Sequence, residues 1–169
     1  MQIAVISDTH NQLERIQVVA YWLRKQKIGT IIHCGDLTDP ELLAYFDGLQ
    51  VFYAFGNGDH ASGEILEKLQ SFGAENQAAI HLDLNLGGRK IFVSHGHRIH
   101  LIEKALASGN YDYVIQGHTH RFCDRSQGVS RLLNPGALGG TLYEPRSFAI
   151  LNTDTDEFTK ILYESLFDA

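Results

Sequence analysis

Five apolar stretches of this chain each run into a short polar cluster, and that repeated pairing constrains the fold more than any other feature. IAVIS leads into Asp8-Thr9-His10, TIIHC into Gly35-Asp36 and VFYAF into Gly56-Asn57-Gly58-Asp59. KIFVS leads into His95-Gly96-His97, and YDYVIQ into Gly117-His118-Thr119-His120. Short β-branched and aromatic runs bounded by Gly, Asp and Asn read as buried strands. In open α/β sheets, ligands bind in the crevice beyond the carboxyl ends of the strands. If several of these strands lie parallel and side by side, their polar clusters meet at one place.

The segments between the clusters alternate strand and helix in the first half. Ile3 to Ile6 is predicted as a strand, followed by a helix over Leu13 to Lys25 with apolar residues at Leu13, Ile16, Val19, Ala20 and Leu23. Thr30 to His33 is a second strand. Pro40 to Phe46 is a short helix with Asp39 as N-cap before an N1 proline. Val51 to Phe55 is a third strand, and Glu64 to Leu69 is helical. The second half is richer in β: His81 to Leu86 alternates and turns through Gly87-Gly88 into Lys90 to Ser94, a hairpin pattern. Tyr111 to Ile115 is another apolar run. Two further hairpins are predicted over Phe122 to Leu133, turning near Gln127-Gly128, and over Ser147 to Leu162, turning near Asp154-Thr155-Asp156. With no repeat or linker to divide it, the chain reads as one α/β domain over residues 1–169, two sheets packed together with helices outside.

Charge narrows the partners. The 14 basic and 20 acidic residues give a formal charge of −6, which opposes non-specific binding to a long nucleic-acid backbone. No apolar run approaches the roughly 20 residues that span a bilayer, and the start MQIAVISDTH lacks the basic region and cleavage site of a secretory signal. Only Cys34 and Cys123 are present, so no disulfide framework is expected, and a reduced cytoplasm is the natural location.

The residue types in the clusters say what would sit where they meet. Carboxylates, imidazoles and a side-chain amide, with no thiolate beyond neighbouring Cys34, suit divalent first-row ions and disfavour a thiolate zinc site. Asp8, His10, Asp36, Asn57, His95, His118 and His120 are too many ligands for one ion and suit two that share Asp36. Paired ions about 3.5–4 Å apart are a known arrangement for displacement at phosphorus. Each cluster alone has a blander reading: Gly-Asp as a turn, Gly-Asn-Gly-Asp as a loop tip, Gly-His-Thr-His as two exposed imidazoles. All five occurring in order, each at the end of an apolar run, is what favours the ligand reading.

The same ordered set, with DTHN, HCGD, HGHR and NPGA, resembles the calcineurin-like metallophosphoesterase superfamily, and its small YfcE-type phosphodiesterase branch in particular. The resemblance runs from Ile3 to about Gly136. It implies a four-layer α/β/β/α sandwich of two mixed sheets flanked by helices. By motif position it implies that Asp8, His10 and His120 bind a first metal, that Asn57, His95 and His118 bind a second, and that Asp36 bridges them. Manganese is the foremost expectation, with nickel, iron, cobalt or zinc admitted. The implied reaction is hydrolysis of a small phosphodiester by in-line attack of a metal-bridging hydroxide, with the Asn57 amide helping to polarise the phosphoryl oxygens.

One position departs from that pattern. Many members of the superfamily carry His directly after the motif Asn, where it helps protonate the leaving group; here the residue is Gly58. Asp59, His60 and His97 are the candidates left for that role by proximity in sequence. A weak proton donor would favour acidic leaving groups such as those of aryl diesters. His33 and Cys34 read as a buried neutral imidazole and thiol. Asn134-Pro135-Gly136 reads either as a turn or, by resemblance, as a substrate-side loop, and Arg98 either as a phosphate clamp or as solvated. His81 and His100 fall outside the clusters and read as surface or structural. Tyr21, Trp22, Phe46, Phe52, Tyr53 and Phe55 are assigned to the core or an interface. A nuclease and a non-catalytic scaffold, as in the retromer subunit of this fold, are the competing functions. The filled ligand set disfavours the scaffold, and the charge disfavours the nuclease. Assembly into homo-oligomers is left open.

Overall fold

The computed structural model describes residues 1–140 and 144–167. Its strands and α-helices, in chain order, are β1 (Gln2–Ile6), α1 (Leu13–Lys25), β2 (Thr30–His33), β3 (Gln50–Ala54), α2 (Ser62–Phe72), β4 (Gln77–Ala79) and β5 (His81–Leu86). They continue with β6 (Arg89–Ser94), α3 (Ile99–Ser108), β7 (Tyr113–Ile115), β8 (Phe122–Gln127), β9 (Ser130–Pro135), β10 (Ser147–Asn152) and β11 (Glu157–Leu162). One sheet has the order β11-β10-β1-β2-β3-β4, and the other β5-β6-β7-β9-β8. β1 to β4 run parallel, as do β6, β7 and β9, so both sheets are mixed.

Strand periodicity builds the layers. In β1, Ala4 and Ile6 join the core under α1 and α2, whereas Ile3 and Val5 join the core between the sheets. A strand buried on both faces must be apolar throughout, which is why IAVI shows no alternation. Val93 and Ile115 of the second sheet close on Ile32 and Ala54 of the first. On the outer face of the second sheet, Ile102 and Ala105 of α3 cover Phe92, Val114 and Leu132. The result is the four-layer α/β/β/α sandwich.

The predicted elements survive with informative shifts. The Pro40–Phe46 segment is a 3₁₀ helix, and the Asp39 carboxylate caps it by accepting from the Glu41 N–H at 3.0 Å. The third strand starts at Gln50 and ends at Ala54, with the Phe55 N–H still donating to the Ala79 carbonyl of β4. The helix expected over Glu64 to Leu69 extends to Ser62–Phe72. The run from Tyr111 shortens to Tyr113–Ile115. β4, α3 and a C-terminal 3₁₀ turn over Glu164–Phe167 had no sequence counterpart. Of the aromatics assigned to packing, Phe46, Phe52 and Tyr53 are buried, but Tyr21 is 69% exposed on α1. Among the described residues, no helix is long and apolar enough to cross a membrane.

Candidate metal centre

The loops after β1 and β2 are zipped together by backbone hydrogen bonds. Asp8 N–H donates to the Gly35 carbonyl (3.0 Å) and His10 N–H to the Asp36 carbonyl (2.9 Å). From the second sheet, Gly117 N–H donates to the His95 carbonyl (2.9 Å), and His118 N–H reaches the Asp8 carboxylate (3.0 Å). Parallel strand ends of both sheets therefore meet at one place. Gly35 makes this closeness possible: at φ 94° it sits so near β3 that a Cβ would lie 2.6 Å from the Ala54 carbonyl and from Gly56 N.

The candidate ligand residues themselves carry unusual backbone. Asp8, His10, Asp36, His118 and His120 have φ of 52°, 45°, 58°, 64° and 57°, in the left-handed region. Such residues cost about 1–3 kcal/mol each and persist where their surroundings over-determine them. Asp and His tolerate the region better than β-branched residues do. Here the strain turns consecutive side chains back over the strand ends toward a common point.

That point is crowded with lone pairs. His120 Nε2 lies 3.1 Å from Asp8 Oδ1 and 3.4 Å from His10 Nε2, and the His10 nitrogen lies 3.9 Å from the same carboxylate oxygen. Beside this trio, His95 Nε2 lies 3.5 Å from Asp36 Oδ2 and 3.9 Å from Asp8 Oδ1. Each trio, Asp8–His10–His120 and Asp8–Asp36–His95, offers ligand atoms within 4.8 Å of one another. The His118 ring packs edge-on to His95 at 5.0 Å between centroids. Asn57 is exposed, in a loop fastened to the second trio by the Gly58 N–H bond to Asp36 Oδ1 (2.7 Å).

These residues fit a cation. The His95 Nδ1 atom is 2.6 Å from the Cys34 carbonyl, which fixes the proton there and leaves Nε2 as the acceptor. That Nε2 is buried without a hydrogen-bond partner and points among carboxylates, an arrangement a bound ion would satisfy. Electrostatics agree. Burial works to raise the Asp8 pKa, yet the His120 and Ser7 hydrogen bonds and the His95 charge bring it below the usual value. Asp36 falls to about 2, burial again being outweighed, chiefly by His95. His95 is raised despite its burial, because Asp36 and Asp8 favour its protonated form. The centre is thus arranged around positive charge, which protons or metal ions supply.

Comparisons with known proteins show the family. Residues 1–156 match the model of the calcineurin-like phosphoesterase superfamily domain. The chain belongs to that superfamily. Phosphodiesterase MJ0936 of Methanocaldococcus jannaschii is 31% identical over 97% of this chain and 100% of its own length. A solved structure described as a novel archaeal phosphodiesterase superposes with a TM-score of 0.90 at 30% identity, over 96% of this chain and 99% of that one. The YfcE phosphoesterase of E. coli superposes at 0.69 with 17% identity, over 96% and 100% of the two chains, a likeness of fold.

Within this phosphoesterase, the proton-donor candidates separate. Asp59 is buried, and its carboxylate accepts from Asp36 N (3.0 Å), Thr38 N (3.0 Å), Gly56 N (2.7 Å) and the Tyr53 hydroxyl (2.8 Å). Four donors converging on one carboxylate make Asp59 a brace for the Asp36 loop. His60 is exposed. His97 is beside the ligands, its ring 5.4 Å from His95 and 6.3 Å from His118. Arg98, exposed itself, donates to His97 Nε2 (3.3 Å), which puts the ring proton on the buried, unpartnered Nδ1.

Asn134 corrects the substrate-loop reading of Asn134-Pro135-Gly136, since all three residues are buried. The Asn134 amide donates to the Gly117 carbonyl (2.8 Å) and to Thr119 Oγ1 (3.1 Å), holding the Gly-His-Thr-His loop from behind. Ser7, whose hydroxyl donates to Asp8 Oδ2 (2.5 Å), is another brace that the sequence did not single out. The only signal for it was its place as the last residue of the IAVIS run. His33 and Cys34 are fully buried as expected: burial holds the His33 pKa down at about 4 and the Cys34 thiol well above its ordinary value. His81 is exposed and stacks on Phe92, and His100 is exposed.

Proposed function

We propose that this phosphoesterase is a dinuclear, metal-dependent phosphodiesterase acting on a small diester. The observation that carries the reading is the orphaned His95 Nε2 set among Asp8 and Asp36, beside the Asp8–His10–His120 trio. Asp8, His10 and His120 would hold one ion and His95, His118 and Asn57 the other, with Asp36 as the ligand they would share. The two trios have Asp8 in common, and Asp36 belongs to the second of them. Divalent ions bound there supply a nucleophilic water at neutral pH and draw charge from the phosphoryl oxygens. Manganese is the first choice, since N/O ligation without thiolate suits it alongside nickel, iron, cobalt or zinc.

The chain's own residues do the rest. Ser7, Asn134 and Asp59 fix the loops so that the ligands need no rearrangement when substrate arrives. His97 is the group left for the leaving oxygen, in its protonated form, with its ring beside those of His95 and His118. Burial, then His95, Arg98 and His118, lower its pKa, so little of it is protonated at neutral pH. That scarcity fits a preference for leaving groups that depart as stable anions. The relative named phosphodiesterase supports the diester over a monoester. Two free cysteines, one of them fully buried, fit a reducing cytoplasm.

The test is hydrolysis of bis(p-nitrophenyl) phosphate by chelator-stripped protein with and without added Mn²⁺. Metal-dependent turnover supports the reading. Inactivity with every divalent ion tried, in a folded protein, would sink it and favour the non-catalytic scaffold.

A further inference from the structure

A groove of about 420 Å³ begins at the Gly-His-Thr-His loop and runs along β8, lined by Gln116, Thr119, Arg121, Cys123, Arg125 and Leu132. Thr119 lies between His118 and His120, and Gln116 packs against Gly96, between His95 and His97. One end of the groove is therefore covalently continuous with the ligand loops of both ions. The other end is Arg125, which pairs across the ladder with Leu132 and so shares the outer face of the second sheet.

The electrostatics of this strip run against those of the whole molecule. In a chain of formal charge −6, the lining holds two guanidinium groups and no carboxylate. The nearest acid in sequence, Asp124, is turned away. It pairs with Leu133 on the inner face, and both its oxygens are taken by Arg131 at 2.8 Å. Arg121 feels Glu144, so the inference turns on Arg125, which is exposed. Burial raises the Cys123 pKa, so it lines the floor as a neutral thiol. A planar guanidinium fork, a side-chain amide and a hydroxyl, strung along an open groove, are the chemistry that recognises a phosphate.

We propose that this groove is the subsite for one arm of the diester, and that it takes an arm ending in a phosphate monoester, held at its far end by Arg125. The substrate class is then a small diester carrying a second, terminal phosphate. The proposal rests on the phosphodiesterase reading for the placement of the scissile group, whereas the groove's taste for phosphate can be measured separately.

Two p-nitrophenyl phosphodiesters with the same leaving group decide it, one whose second arm ends in a phosphate and one whose arm ends in a hydroxyl. Wild-type protein is expected to favour the phosphorylated diester in kcat/KM by about tenfold or more, the scale of one charge-assisted hydrogen bond. Arg125→Gln should bring that ratio close to one, and Arg125→Lys should restore part of it. A wild-type ratio near one, or a ratio unchanged in Arg125→Gln, overturns the proposal. In parallel, inorganic phosphate is titrated into metal-free protein and backbone amide shifts are followed by NMR. Shifts over residues 119–125 that vanish in Arg125→Gln support the subsite, and their absence in wild type overturns it. If neither diester is hydrolysed with any divalent ion, the phosphodiesterase reading fails while the phosphate titration still decides the groove.

Discussion

His95 Nδ1 lies 2.6 Å from the backbone carbonyl of Cys34, across the interface between the two sheets. This contact orients an imidazole from the second sheet over the strand ends of the first and leaves its other nitrogen facing the Asp8 and Asp36 carboxylates, where the proposed metal would sit. Because the acceptor is backbone, the Cys34 side chain is dispensable for it. Cys34→Ala should keep Mn²⁺ affinity within about threefold, while His95→Ala should lose about a hundredfold or more, beyond the range typical of supporting residues. Calorimetric titration of the stripped proteins checks both, and equal losses would show that the contact does not orient the ligand.

Asp59 is a brace, so its loss should read as instability. Asp59→Asn replaces one acceptor oxygen with an amide that faces backbone N–H donors, costing about 2–3 kcal/mol. Denaturant midpoints should fall accordingly, and the activity that remains should keep the wild-type pH profile. A stable Asp59→Asn protein with one limb of that profile missing would make Asp59 the proton donor after all.

His97 should matter in proportion to the basicity of the leaving group. His97→Gln is expected to slow an alkyl diester roughly tenfold or more, within the range of general acid catalysis, and to leave a p-nitrophenyl diester nearly unchanged. His60→Ala should alter neither. Wild-type protein should itself prefer aryl to alkyl esters, and equal rates for the two would contradict a weak proton donor at this site.

His33 sets an acid limit on stability. It is fully buried, stacked on Tyr53 with ring centroids 4.7 Å apart, and its pKa is lowered to about 4, mainly by burial. Unfolded, it titrates near 6.5. The unfolded chain therefore binds the extra proton first, and the stability due to neutral His33 is complete above pH 6.5 and drains away as pH falls from 6.5 toward 4. Chemical denaturation of stripped protein across that window should show the decline, and His33→Gln should flatten it. A wild-type curve level between those values would refute the assignment.

Much of this was legible in the sequence because hydrophobic runs report burial directly. β1, α1 and β2 follow from IAVI, the helical spacing from Leu13 to Leu23, and TIIH. The convergence of Asp8, His10 and His120 follows from strand ends meeting in a crevice. β4 was hidden because three edge residues, one exposed and two partly buried, carry no periodic signal. α3 has the spacing Ile99, Ile102 and Ala105, but it follows directly on the His-Gly-His loop and begins at an exposed Ile99, which masks its start. The left-handed backbone of five candidate ligand residues is invisible to composition, since none of the five is glycine. The same holds for Asp59 and Asn134: both sit in turn-like motifs that look exposed, and only the packing of two sheets shows them buried as braces.

On the dinuclear reading, the two trios and their neighbours hold two metal ions. Chelator-stripped protein titrated with Mn²⁺ should take up two ions per chain, and His118→Ala should weaken one of the two while the Asp8–His10–His120 site retains its ion. Binding of a single ion, or of two ions that His118→Ala leaves untouched, would contradict the account.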